Sequence, residues 1–122
     1  MMARRPQSQR HAALESSLVS AIIRSLRALP GVVVRKRHGS AWGTAGDPDL
    51  YGTVNGRHFE VEVKRPGGTL TPLQEVRLQE WAAAGALTGV ARSVEDALQI
   101  IRGEGGGEGG IDERRSAQQT GR

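Results

Sequence analysis

Cysteine is absent from all 122 residues, which excludes disulfide staples, thiolate metal sites and a thiol nucleophile. A reducing compartment is compatible with that absence. Long apolar runs are also missing: no stretch approaches the roughly 18 residues that a membrane span requires. The N-terminal stretch opens on Arg4 and Arg5 but is broken by Glu15 and many polar residues, so it lacks the apolar centre of a secretion signal. The expectation is a soluble, cytoplasmic protein with no membrane partner. Lysine is nearly missing too, because fifteen of the seventeen basic residues are Arg and only Lys36 and Lys64 are Lys. Arg replaces Lys wherever a solvated positive charge suffices, whereas a compact, deprotonable ammonium has no such substitute. A lysine retained in Glu62-Val63-Lys64 therefore favours a chemical role.

What is present is unevenly charged. Residues 1–45 hold eight Arg or Lys against one acid, Glu15, a balance of +7 out of a net +4 for the chain. A basic N-terminal part next to an acidic cluster suits a polyanion brought to a cation site; basic surface kept for solubility is the simpler alternative. The length suits one domain. Residues 1–8 are polar and expected to be flexible. Residues 103–122 are Gly-rich, charged and poor in large apolar side chains, and are expected to be disordered. The domain is expected to span residues 9–102.

Within it, a helix is expected from about Gln9 to Leu29, since Leu14, Leu18, Ile22, Leu26 and Leu29 recur at helical spacing and Pro30-Gly31 stops it. Strands are expected at 32–37, 49–54, 57–64 and 87–91. Thr71-Pro72 opens a helix reaching about Ala84, with Trp81, like the Leu14-Leu18-Ile22 stripe, assigned to the core. Ser93-Val94-Glu95-Asp96 resembles a capping box for a last short helix. The order is α-β-β-β-α-β-α, an α/β fold with a mixed sheet flanked by helices.

Asn55-Gly56 is a strong hairpin signal, since a type I′ turn needs positive φ at both central residues. Pairing Val54 with Arg57 and counting outward sets Thr53 against His58, Tyr51 against Glu60, and Asp49 against Glu62. Opposed residues on antiparallel strands have Cβ atoms roughly 4.5–5.5 Å apart, so two carboxylates meet and need a positive partner. Lys64 lies on the same face. The other face carries Leu50, Gly52, Phe59, Val61 and Val63 and belongs on the core, leaving a polar face opposite. Alternating Glu and Lys on a strand is also what ordinary solvent exposure produces.

Gly46-Asp47-Pro48-Asp49, Glu62-Val63-Lys64, Arg65-Pro66-Gly67-Gly68 and Gln74 together resemble the VRR-NUC domain of the PD-(D/E)XK nuclease superfamily, over roughly residues 14–101. The resemblance implies a restriction-endonuclease-like core and a divalent-metal-dependent phosphodiesterase acting on DNA. It implies Asp49 and Glu62 as metal ligands with the Val63 carbonyl as a third, Lys64 holding or activating the attacking water, and Gln74 at the site's edge. Glu15 matches a first-helix acid of many members, with a solvated helix charge as the alternative. Glu60 departs from the family pattern, where that position is often apolar; it is either a further acid behind the ligands or a surface charge. Oxygen ligands of this kind suit Mg²⁺ or Mn²⁺.

For substrate binding, Arg35, Lys36, Arg37 and His38 precede a Gly-rich loop and are candidates to grip phosphates. Thr71 starts a helix whose amides suit a phosphate, and Trp42 suits stacking on an unpaired base or folding onto the core. The three histidines lack metal-ligand spacing. A homodimer is expected from small size and fold analogy. The leading expectation is a nuclease acting on branched, flapped or junction DNA in replication, repair or recombination, in a phage or prophage setting and hence in a host cytoplasm. The alternatives are a non-catalytic nucleic-acid-binding module and an interaction domain.

Overall fold

A computed structural model describes residues 5–39 and 42–104. Seven elements follow one another: helix α1 (Gln7–Arg27), strands β1 (Val32–Lys36), β2 (Leu50–Val54) and β3 (Arg57–Val63), helix α2 (Pro72–Ala83), strand β4 (Leu87–Ala91) and helix α3 (Val94–Ile101). They form an α/β fold with one mixed four-stranded sheet in the order β1-β2-β3-β4. The first three strands are an antiparallel meander, and α2 carries the chain over to β4, which runs parallel to β3.

Local chemistry sets the turns. Asn55 (φ 49°) and Gly56 (φ 85°) take the left-handed conformation of a type I′ turn, and the register follows as counted: Val54 against Arg57, Thr53 against His58, Tyr51 against Glu60. Helix α1 begins at Gln7, two residues before the expected start, and ends at Arg27 rather than Leu29. Residues 7 and 8 are thus helical, not part of a loose end. The rest of the expected tail, residues 105–122, lies outside the described residues. Among the described residues, no helix is long and apolar enough to cross a membrane.

The two sheet faces differ sharply. Leu50, Phe59, Val61, Val63, Val34, Leu87 and Ala91 pack with Val19, Ile22 and Leu26 of α1 and with Ala97, Ile100 and Ile101 of α3. This is the aliphatic core, and α1 contributes it through an i, i+3, i+7 stripe. Leu14, expected in that stripe, is exposed, because the stripe that faces the sheet runs through Val19, Ile22 and Leu26. The opposite face carries Tyr51, His58, Glu60 and Glu62 and is roofed by α2, whose Leu78 is fully buried. Trp81 of α2 lies over this polar face, not in the aliphatic core: its ring sits 5.0 Å from His58. Over β3 and β4 the polar face is therefore an interior surface covered by α2, in place of the open polar face that alternation suggests, while Val33, Arg35 and Thr53 on β1 and β2 stay exposed.

Gly52 shows how closely the meander packs. A Cβ built there would lie 1.8 Å from the Val33 carbonyl oxygen and 2.9 Å from Phe59 Cζ. Gly52→Ala is expected to destabilise the fold by about 2 kcal/mol through overpacking, read as a lower midpoint in urea unfolding.

Candidate active site

The β2–β3 ladder ends at Leu50–Val61, and the polar groups collect just past that end. There the Val63 N–H no longer meets a β2 carbonyl opposite; it donates to Asp49 Oδ2 at 2.9 Å. The Asp49 side chain takes the place of a ladder acceptor and is held beside Glu62. Glu62 is only 3% exposed. Gln74 Nε2 donates to Glu62 Oε2 at 3.2 Å, and Lys64 Nζ stands 3.7 Å from the same oxygen. Asp49, Glu62, Lys64 and Gln74 thus converge on one side of the sheet, as register counting requires for the first three.

Gln74 reaches Glu62 because the start of α2 fixes it. Its backbone N–H donates to Thr71 Oγ1 at 3.1 Å, and its Oε1 accepts from the Thr71 N–H at 3.0 Å. This is a reciprocal capping box whose glutamine keeps its amide hydrogens for the carboxylate. The Thr71 hydroxyl is occupied by that cap. The later helix α3 is capped differently from the expected box: Ser93 accepts from the Asp96 N–H, while Asp96 reaches back to the Arg92 N–H, one residue beyond the cap.

The electrostatics of the pair follow from burial. Desolvation pushes Glu62 up to about 8, and the neighbouring Asp49 charge pushes the same way. Lys64 and a hydrogen bond from the Asp49 backbone pull it down, and a side-chain hydrogen bond with Asp49 raises it further. One ammonium does not offset two carboxylates in this setting, so the pair is short of positive charge. Such a donor set of oxygens fits a hard divalent cation. The cation's ligands would be Asp49 and Glu62, with the carbonyl of Val63 beside them. Among the described residues, no cluster of three or more His, Asp or Glu forms a ready-made metal cage, so Glu15 is not brought into a group with Asp49 and Glu62. It stands half-buried on α1, one turn before Val19.

A second polar cluster lies beside the first. Glu60 is fully buried, which overturns its reading as a surface charge. Arg37 grips it with Nη1 at 2.7 Å from Oε1 and Nη2 at 3.2 Å from Oε2, and His58 Nε2 lies 2.6 Å from Oε2. Burial lowers the Arg37 pKa, but the hydrogen bond and charge of Glu60 more than offset it, so the net shift is upward. The guanidinium stacks 4.6 Å from the Tyr51 ring centre, and the Trp81 indole N–H donates to Asp47 Oδ1 at 3.2 Å. Sequence reasoning assigned Arg37 to phosphates and did not assemble this cluster. Its signal lay in the register, since Tyr51, His58 and Glu60 share the face of Glu62.

The other expected nucleic-acid contacts are placed outward. Arg35, Lys36 and His38 are exposed at and just beyond the end of β1. Trp42 is 97% exposed, which overturns its folding onto the core. An open cleft of about 430 Å³ lies between Arg37, His38 and residues 43–49, and Asp49 forms part of its wall. Compared with known proteins, the chain matches no family model and no curated sequence. The site's chemistry therefore rests on its own geometry.

Proposed function

We propose that the protein is a divalent-cation-dependent nuclease that hydrolyses phosphodiester bonds in DNA. One observation carries this reading: two carboxylates, one of them buried, meet at the end of the β2–β3 ladder with a lysine ammonium 3.7 Å from the buried one. The oxygen set suits Mg²⁺ or Mn²⁺. When bound, such an ion makes water more acidic and neutralises charge developing on phosphorus. Asp49 and Glu62 would hold it. Lys64 would orient the attacking water and stabilise negative charge as it builds on the phosphoryl oxygens. Gln74 fixes the Glu62 carboxylate by donating to it. Exposed Arg35, Lys36 and His38 would meet the DNA backbone and Trp42 would stack on an unpaired base, which favours branched, flapped or junction DNA as substrate. The helix amides after Thr71 offer a further phosphate contact.

The resemblance to the VRR-NUC domain supports the same reading, with action in the cytoplasm on replication, repair or recombination intermediates. Two copies acting together would address two strands; a monomer mass in light scattering, with and without DNA, removes that part. A non-catalytic DNA-binding module is the second reading, favoured by the exposed basic run and Trp42. Incubation with single-stranded, duplex, flap and four-way DNA in Mg²⁺, Mn²⁺ or EDTA separates the two. Cleavage that disappears in EDTA is the expected result. Binding without cleavage of any substrate in either metal sinks the nuclease and leaves the binding module.

A further inference from the structure

We propose that Arg37 and Glu60 form a positioning clamp that sets Asp49, rather than a contact for DNA. The inference rests on the nuclease reading for its consequence but not for its geometry. Three consecutive residues are tied to Arg37. Its Nε lies 3.9 Å from Asp47 Oδ2, its Nη1 donates to the Pro48 carbonyl at 2.7 Å, and its backbone N–H donates to the Asp49 carbonyl at 2.7 Å. The guanidinium is itself immobilised: Glu60 takes it in a bidentate pair from within the fold, and Tyr51 and Trp81 flank it at 4.6 and 5.8 Å. Trp81 also holds Asp47 from the α2 side.

The planar fork explains the choice of Arg. One guanidinium edge faces Glu60 while Nη1 also reaches Pro48, a geometry that an ammonium on a flexible stem does not reproduce. With its donors turned toward Glu60, Pro48 and Asp47, Arg37 has little to offer a phosphate. Asp49 stands past the last β2–β3 pair and keeps one backbone bond, from the Arg37 N–H on the β1 side, so the guanidinium's hold on Asp47 and Pro48 is what the Arg37 side chain adds to its placement. Partners that orient a metal ligand typically change metal affinity by about 10–100-fold when removed.

The test uses the full chain with Arg37→Lys, Glu60→Gln and, as a surface comparison, Lys36→Gln. Amide hydrogen exchange at Val63 reports the bond to Asp49 Oδ2 without any metal, and exchange at Phe59 reports the sheet itself. Mn²⁺ titration by calorimetry reports the site, and DNA binding in EDTA reports the backbone grip. In Arg37→Lys, Val63 exchange is expected to quicken with Phe59 unchanged, and the Mn²⁺ Kd to rise by about tenfold. DNA binding in EDTA is expected to change less than about twofold, whereas Lys36→Gln weakens it and leaves Val63 protected. If Glu60→Gln loses Phe59 protection as well, it has unfolded the sheet, and Arg37→Lys decides. Val63 exchange unchanged in Arg37→Lys overturns the clamp, as does a loss confined to DNA binding. If the unaltered protein takes up no Mn²⁺, the nuclease reading falls while Val63 exchange still decides the clamp.

Discussion

Asp49→Asn and Glu62→Gln are each expected to lower metal-dependent DNA cleavage by about a thousandfold or more, and Lys64→Ala by about a hundredfold or more. On the nuclease reading, a carboxylate lost from the proposed cation site removes several kcal/mol of transition-state charge stabilisation, and each 1.4 kcal/mol or so is tenfold in rate. The lysine supplies one positioned charge, comparable with a single oxyanion donor. What separates these variants from damaged proteins is the direction of their stability. Glu62 is buried beside Asp49 with its pKa raised to about 8, so an uncharged isostere there removes a penalty. The glutamine amide can donate to Asp49 where two carboxylates repel. Glu62→Gln is therefore expected to melt at a higher temperature than the unaltered protein at pH 8–9 in EDTA while cleaving nothing. Single-turnover rates and calorimetric melting, measured on the same samples, check both halves. A variant that loses stability, or one that retains cleavage, contradicts the site.

Stability itself should fall as pH rises from about 4.5 to about 8 when no divalent cation is present. Below the ordinary value of 4.5, Glu62 is protonated in both the folded and unfolded chain and contributes no slope. Between 4.5 and about 8 the unfolded chain releases the proton and the folded chain keeps it, so ionisation favours unfolding. Above about 8 both forms are ionised and the slope ends. At about 1.4 kcal/mol per pKa unit, the loss across the window is a few kcal/mol. Cation binding reverses the balance because it requires the ionised pair and displaces the proton. Apparent Mn²⁺ affinity is thus expected to rise by up to about tenfold per pH unit toward 8 and then level off. Urea unfolding at several pH values, with Mn²⁺ or EDTA, reads both slopes. Glu62→Gln should flatten them.

Most of the architecture was legible because short-range signals agreed with one another. Asn55-Gly56 fixed the hairpin register, the register fixed which residues face Asp49, and Thr71-Pro72 fixed where α2 begins. The convergence of Asp49, Glu62 and Lys64 followed from that register alone. Sequence alternation did not reveal that the polar face is covered. A strand pattern gives the side on which Glu60 lies but not what is laid over it, and only the packing of α2 against β3 and β4 places Trp81 there. The pairing of Arg37 with Glu60 was missed for a related reason. In sequence Arg37 belongs to a basic run that suggests phosphate, whereas its partner Glu60 is 23 residues away and meets it only after β1, β2 and β3 align. Leu14 fell out of the core because the stripe of α1 buried on the sheet runs through Val19, Ile22 and Leu26. Gln74 entered only through the resemblance, although its capping role was written in Thr71-Pro72-Leu73-Gln74.

The division of the sheet has a consequence for how this chain tolerates change. Aliphatic packing against α1 and α3 bears the weight of folding on one side, while Asp49, Glu62 and the Arg37–Glu60 pair lie on the other, toward α2. Substitutions under α2 can thus retune recognition or reactivity with the foundation untouched. Residues 42–49 and the start of α2 are the places where a new binding preference would be grafted at least structural risk.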